Sequence, residues 1–126
     1  MLHKFFALLL FASFHAMAAT PADLLAGYTA QSGQPANAAK GEVFFKASHG
    51  QEWQCTSCHG KSPMIGGRHA STDKVIEPLA PAANAKRFTD SAKVEKWFRR
   101  NCKDVLAREC TAAEKADVLA WLITLR

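Results

Sequence analysis

The chain has only four cysteines, no low-complexity segment and no apolar run long enough to cross a membrane. Each of these features excludes some classes of protein. Hydrophobic residues make up 48% and charged residues 21% of its 126 positions, which is typical of one soluble globular domain. This composition excludes a disordered protein, a collagen, a multidomain enzyme and a multi-span membrane protein. Four cysteines are too few for a disulfide-dense scaffold. A formal net charge of +5 leaves nucleic-acid binding open at this point.

The N-terminus is typical of a secretory signal peptide. Lys4 supplies the positive charge, residues 5–14 form the apolar segment, and Ala16-Met17-Ala18 is an A-x-A cleavage site. A membrane anchor is the alternative, but such a short helix crosses only about half of a ~30 Å hydrocarbon core. The sequence therefore predicts a signal peptide at residues 1–18, a single domain at residues 19–126 and a periplasmic location. Export would place the cysteines in an oxidising compartment and would remove nucleic acid as a partner.

The domain is predicted to be all-α, because its apolar residues recur at helical spacing and no alternating strand pattern is present. Thr111 and Glu114 form a capping box for the last helix. Residues 60–84 contain several glycines and prolines and predict mostly loop. The predicted helix starts are Thr20-Pro21, Asn37, residues 89–91 and Thr111.

Residues 55–59 have the sequence Cys-Thr-Ser-Cys-His, which is the C-x-x-C-H attachment signature of a c-type haem. Two thiols one helical turn apart add across the haem vinyl groups as thioethers, and the following histidine reaches the iron as the proximal ligand. A thioredoxin-like site requires a βαβ context, a zinc site requires two further ligands, and a plain disulfide leaves the histidine unexplained. The sequence predicts one covalently bound haem c, held by Cys55, Cys58 and His59.

A second pattern flanks this motif on both sides. Gly41 and Phe45 lie four residues apart upstream of it, and Trp121-Leu122 lie in the predicted last helix. A glycine lets two helix backbones approach closely, and an aromatic residue of the partner helix covers it. The pattern is typical of the crossing helices of class I cytochromes c. We therefore expect that fold, as a single haem domain of about four to five helices.

The sixth iron position is left open by the spacing. Ordinary class I cytochromes use a methionine far downstream, but the predicted mature chain has only Met64, which is too close to His59 to reach the opposite haem face. His49 and His69 would ligate only if their loops folded over the haem. Asn101 is the next position on the apolar stripe of the fourth helix, where an asparagine is more often a helix C-cap.

Cys102 and Cys110 are the two cysteines that the haem motif does not use, and in an oxidising compartment they are expected to pair. The bond would close a short loop between them, immediately beside Asn101 and before the cap at Thr111. It would fix the end of the fourth helix against the last helix.

The mature chain closely resembles the sphaeroides haem proteins, or SHP family, which are monohaem, oxygen-binding variants of the class I cytochrome c fold. The resemblance extends from Leu25-Ala26-Gly27-Tyr28 onward and is densest in the C-terminal half. It rests on these segments: Pro78-Leu79-Ala80-Pro81, Arg87-Phe88-Thr89-Asp90-Ser91, Val94-Glu95-Lys96-Trp97, Arg100-Asn101-Cys102, Cys110-Thr111, Glu114-Lys115-Ala116-Asp117 and Leu119-Ala120-Trp121-Leu122.

The resemblance implies that Asn101 is the sixth ligand of ferric haem and that Cys102 and Cys110 form the family's disulfide. In that family the asparagine leaves on reduction, so that oxygen, nitric oxide or carbon monoxide binds to ferrous haem. The resemblance also implies a dihaem c-type cytochrome as electron donor, with a membrane b-type cytochrome upstream, and the protein is expected to be a monomer. A simple electron shuttle and a haem enzyme that processes nitric oxide or oxygen remain as alternatives.

Basic residues are concentrated between positions 86 and 108. They form either a solvated helix face or a docking face for an acidic redox partner, which would raise the association rate in a salt-sensitive way. The eight residues are Lys86, Arg87, Lys93, Lys96, Arg99, Arg100, Lys103 and Arg108.

Overall fold

A computed structural model describes residues 18–126, which form five helices and one short hairpin. The predicted signal peptide, except for Ala18, lies outside these residues. Within residues 18–126, no helix is both long enough and apolar enough to span a bilayer. The helices are α1 (Pro21–Ser32), α2 (Ala38–Lys46), α3 (Cys55–His59), α4 (Ser91–Leu106) and α5 (Ala112–Thr124), and the strands are β1 (Gly67–Arg68) and β2 (Val75–Ile76).

The first two helices begin where the sequence predicts. The Thr20 hydroxyl oxygen accepts the Asp23 amide at 3.1 Å, and the Asp23 carboxylate accepts the Thr20 amide at 2.9 Å. This reciprocal pair satisfies donors that the helix itself leaves free. Gly33 ends α1 in a left-handed conformation with φ of 70°, and Asn37 caps α2.

Helix α4 is longer than the sequence predicts. It begins after Asp90, whose side chain accepts the Lys93 amide at 3.0 Å, and it continues to Leu106. Ala107 is the C-terminal cap, in a left-handed conformation with φ of 57°. Asn101 therefore lies inside the helix, and its interpretation as a C-cap is wrong.

Residues 60–84 are mostly loop, as predicted, but they contain a hairpin that the sequence did not reveal. Strands β1 and β2 pair antiparallel, with Gly67 opposite Ile76 and Arg68 opposite Val75. Two residues per strand are too few to produce a recognisable alternation of apolar and polar positions.

The core forms where α5 crosses α2 and α1. A Cβ atom on Gly41 would lie 1.9 Å from the Asp117 carbonyl oxygen, so only glycine allows this approach of the two backbones. Next to it, Phe45 is 2% exposed and its ring centroid lies 5.1 Å from that of Trp121. The predicted crossing pair is confirmed. The buried cluster comprises Tyr28, Phe45, Phe88, Ala116, Val118, Leu119, Trp121 and Leu122.

Candidate haem-binding site

Helix α3 is a single turn that presents the three residues of the motif. The Ser57 amide donates to the Gln54 carbonyl at 2.9 Å, and the Gln54 amide donates to the Ser57 hydroxyl at 3.0 Å, which starts the turn. Gly60, with φ of 71°, ends it, so the chain turns away directly after His59. The turn brings positions i, i+3 and i+4 onto one side of the helix.

Both thiols of the motif are free and half-buried. The Cys58 sulfur accepts the Ala70 amide at 3.3 Å, which ties it to the hairpin. Burial raises the pKa of the Cys55 thiol to about 11. Since no disulfide joins Cys55 and Cys58, both sulfur atoms are available for thioether bonds.

His59 has a buried ring nitrogen without a partner. Its Nδ1 atom makes no hydrogen bond within residues 18–126, and buried polar atoms are almost always paired in folded proteins. Burial, assisted by the positive charge of Arg87, lowers the pKa of His59 to about 4. The imidazole is therefore neutral near pH 7, which is the form that ligates a metal. An unpaired neutral imidazole beside two free thiols fits a c-type haem.

Helix α3 is held by neighbours on two sides. The ring of Phe45 lies 6.1 Å from the ring of His59, so the crossing of α2 and α5 supports the histidine directly. On the other side, a Cβ atom on Gly67 would lie 2.0 Å from the Cys58 carbonyl oxygen, so the hairpin backbone lies against the motif. No sequence pattern indicates this second contact, because it joins α3 to a strand of two residues.

The two histidines considered for the sixth position are engaged elsewhere. The Nε2 atom of His49 lies 2.9 Å from the Phe44 carbonyl oxygen, and its ring packs 4.5 Å from the Phe44 ring. The Nδ1 atom of His69 accepts the amides of Ser71 and Thr72, each at 3.3 Å, within the hairpin turn. These bonds use one nitrogen of each ring, Nε2 of His49 and Nδ1 of His69, and orient the two rings within their own loops.

Asn101 has no such engagement. Its side chain is exposed and makes no hydrogen bond within the described part of the chain. Its neighbours on the stripe differ, since Phe98 is half-buried in the core and Trp97 is 44% exposed. Asn101 thus lies at the border of the buried face of α4. Within residues 18–126 it makes no hydrogen bond with His59 of α3.

A disulfide joins Cys102 and Cys110, with their Cα atoms 5.6 Å apart. Cys102 lies in α4 and is 4% exposed, and Cys110 directly precedes Thr111, the N-cap of α5. The predicted bond is present, and it attaches α4 to the start of α5 one residue after Asn101.

The comparisons with known proteins agree with this geometry. A family model described as "Domain of unknown function (DUF1924)" matches residues 31–122. The cytochrome c-type protein SHP of Cereibacter sphaeroides is 49% identical over 107 residues, which is 82% of each chain. The chain belongs to the SHP family of c-type cytochromes. Cytochrome c'' of Methylophilus methylotrophus is 44% identical over 88 residues, or 67% of this chain and 61% of that protein.

Solved structures of both relatives share the fold. The structure of oxidised SHP, an oxygen-binding cytochrome c, matches 86% of this chain and 99% of its own, with a TM-score of 0.81 and 47% identity. Oxidised cytochrome c'' from Methylophilus methylotrophus matches 84% of this chain and 94% of its own, with a TM-score of 0.72 and 38% identity. The predicted all-α cytochrome c fold is confirmed, and membership of the SHP family implies covalently bound haem c.

One group of bonded residues has no signal in the sequence. Tyr28 of α1, Glu95 of α4 and Lys115 of α5 bond to one another where the three helices meet. A charge pair between helices that are distant in the sequence leaves no local pattern in it. The sequence shows only that Glu95 lies on the same side of α4 as Cys102, and this does not identify its partners.

Proposed function

We propose that residues 1–18 direct export to the periplasm and that residues 19–126 form a monohaem cytochrome that binds diatomic gases after reduction. In this proposal Cys55 and Cys58 carry the haem through thioether bonds, and His59 is the proximal ligand. The free thiols and the unpaired His59 ring support these assignments. A c-type haem held here supplies one-electron chemistry and, when ferrous, affinity for oxygen, nitric oxide and carbon monoxide.

One observation carries the gas-binding part of the proposal: Asn101 has an exposed amide that makes no hydrogen bond within residues 18–126, and it directly precedes Cys102 of the disulfide. An amide oxygen is a neutral, hard and weak donor that suits Fe(III) better than Fe(II). Asn101 therefore serves as the sixth ligand only in the oxidised state, and on reduction its side chain moves away. SHP, the relative with a similar structure, is an oxygen-binding cytochrome c.

The preference of Asn101 for Fe(III) also lowers the reduction potential. Each tenfold preference for the oxidised state corresponds to about 59 mV for a one-electron couple. The electron comes from a c-type cytochrome donor, which we propose to be a dihaem protein fed by a membrane b-type cytochrome. The donor reduces the monomeric protein and so opens the gas-binding position.

The surface of α4 suits an acidic donor of this kind. Arg99 lies 3.7 Å from Glu109, and Arg108 lies 2.7 Å from Glu114, so these charges are partly neutralised. Four exposed basic residues of α4 have no acidic partner within residues 18–126: Lys93, Lys96, Arg100 and Lys103. Arg100 lies over the exposed Trp97 ring at 5.2 Å. Unpaired charge on the helix that carries Asn101 would steer an acidic donor to this face.

Optical spectra of the purified holoprotein test the proposed function. The ferric form should be six-coordinate, the ferrous form five-coordinate, and carbon monoxide should bind the ferrous form without displacing a strong ligand. A six-coordinate ferrous form that excludes carbon monoxide would instead indicate a simple electron shuttle. Repeated catalytic conversion of nitric oxide and oxygen by the holoprotein would indicate an enzyme.

A further inference from the structure

Glu95 is the point at which α4 is bonded to two other helices. The Tyr28 hydroxyl of α1 donates to Glu95 Oε1, and the Lys115 ammonium of α5 donates to Glu95 Oε2 at 2.8 Å. Both carboxylate oxygens are therefore occupied, each by a different helix. Burial alone would raise the pKa of Glu95, but the hydrogen bonds from Lys115 and Tyr28 outweigh it and lower the pKa below its usual value. The carboxylate thus stays ionised near neutral pH.

Aromatic contacts reinforce the same junction. The ring of Phe98, one turn after Glu95, lies edge-on to Tyr28 with centroids 5.9 Å apart. The Lys115 ammonium lies over both rings, 5.4 Å from the Tyr28 centroid and 5.8 Å from the Phe98 centroid. Only 13% of the Lys115 side chain is exposed, so its charge is poorly screened by solvent. We refer to Tyr28, Glu95, Phe98 and Lys115 as the helix junction.

The helix junction and the disulfide hold the same face of α4. Glu95 and Cys102 are seven residues apart, which is about two turns, so they lie above one another on the helix. Asn101 lies about 120° around the helix axis from Glu95 and about 9 Å further along it. Cys102 and the buried Val105 hold the C-terminal part of α4, and the bonds of Glu95 add an attachment two turns earlier on the same face, which restricts rotation of the helix about its axis. The direction of the Asn101 side chain depends on that rotation.

We propose that Glu95 is a positioning residue for Asn101, and that the helix junction sets how firmly the asparagine binds the ferric iron. The inference rests on the proposed function, in which Asn101 is the sixth ligand. Loosening the helix junction weakens ligation in the ferric state and leaves the ferrous state unchanged, because Asn101 is already detached there. The ease of ligand release is thus set by the residues of the helix junction.

The test uses the Glu95→Gln and Tyr28→Phe variants of the holoprotein, with Glu42→Gln as the matched control. Glu42 is also an ion-paired glutamate, and its side chain is 44% exposed compared with 41% for Glu95, but it bonds to Lys46 within α2. The measurements are the reduction potential and the rate at which azide binds ferric haem. Glu95→Gln should bind azide about tenfold faster, the factor that one charge-assisted hydrogen bond is worth. A tenfold weaker ferric bond raises the potential by about 59 mV.

Tyr28→Phe should shift both quantities in the same direction, although it leaves the charge of Glu95 in place. Glu42→Gln should match the wild type. In an Asn101→Ala background, Glu95→Gln should have no further effect, because its action passes through the asparagine.

Two results would overturn the inference alone. The first is wild-type potential and azide binding in both Glu95→Gln and Tyr28→Phe, while Asn101→Ala binds azide faster. The second is an equal acceleration by Glu95→Gln in the presence and absence of Asn101, which would make its effect a direct one on the haem. If Asn101→Ala itself changed nothing, the proposed function would fail, and the inference with it.

Discussion

The ring of Phe45 packs 5.1 Å from the ring of Trp121, at the point where α2 crosses α5. The same phenylalanine lies 6.1 Å from the ring of His59. The helix crossing and the haem motif therefore share one side chain, so a disturbance of the crossing should reach His59.

Gly41→Val tests this coupling, since a Cβ atom at that position would lie 1.9 Å from the Asp117 carbonyl oxygen. The helices must separate, and this should lower the free energy of unfolding by about 1–3 kcal/mol or more. It should also reduce haem incorporation. Gly27→Ala in α1 is the control, because its Cβ atom would meet nothing within 4 Å. We expect the control to raise stability by about 0.5–1 kcal/mol, as measured by urea unfolding. Equal stability of the two variants would show that the crossing does not require a glycine.

Replacing both Cys55 and Cys58 with alanine should abolish covalent haem attachment, because the thioether bonds need the two thiols. Acid–acetone treatment of the wild-type protein should leave the haem on the chain. The same treatment should extract any haem that the double alanine variant has bound. Free haem extracted from the wild type would contradict the assignment of these cysteines. His59→Ala should retain the thiols but yield little folded cytochrome.

The disulfide is expected to stabilise the fold. Replacing Cys102 and Cys110 with alanine should lower the free energy of unfolding by about 2–3 kcal/mol, because the bond restricts the unfolded chain. It should also speed azide binding to ferric haem, since α4 would lose its covalent attachment to the start of α5 beside Asn101. Mass spectrometry of the non-reduced wild type should find no free thiol at these positions, and two free thiols would refute the bond.

Glu95 should make part of the stability dependent on pH. Its pKa in the folded protein lies below the ordinary value of about 4.5, so its contribution is present above that value and is lost as the pH falls through the folded pKa. The wild type should therefore be more stable than Glu95→Gln near neutral pH, and this difference should shrink as the pH falls below about 4. Urea unfolding of both proteins across this pH range measures the difference in their free energies of unfolding. A difference that stays constant with pH would contradict a stabilising carboxylate.

The features that the sequence predicted are the local ones. The C-x-x-C-H motif and the caps at Thr20 and Thr111 each depend on a few neighbouring residues, whose chemistry has one dominant structural outcome. The crossing at Gly41 joins distant helices, and it was predicted because its pattern is typical of class I cytochromes c. The disulfide was predictable because two cysteines remained after the motif was assigned.

The features that the sequence did not predict depend on contacts between distant segments. Asn101 favours helix ends by local propensity, but the disulfide at Cys102 and the packing of Val105 carry α4 past it. The bond between Tyr28 and Glu95 joins residues 67 positions apart, so no window of sequence contains both. The role of Asn101 came from resemblance to the SHP family rather than from its spacing.

The most direct test of the account is the ferric optical and spin-state spectrum of Asn101→Ala, with Asp104→Ala on the exposed surface of the same helix as the control. The account predicts that Asn101→Ala becomes high-spin, five-coordinate or water-ligated, and binds anions faster, while its ferrous spectrum and carbon monoxide binding stay as in the wild type. Asp104→Ala should keep every wild-type spectrum. A wild-type ferric spectrum in Asn101→Ala would contradict the account and would direct attention to His49 or His69 as the sixth ligand.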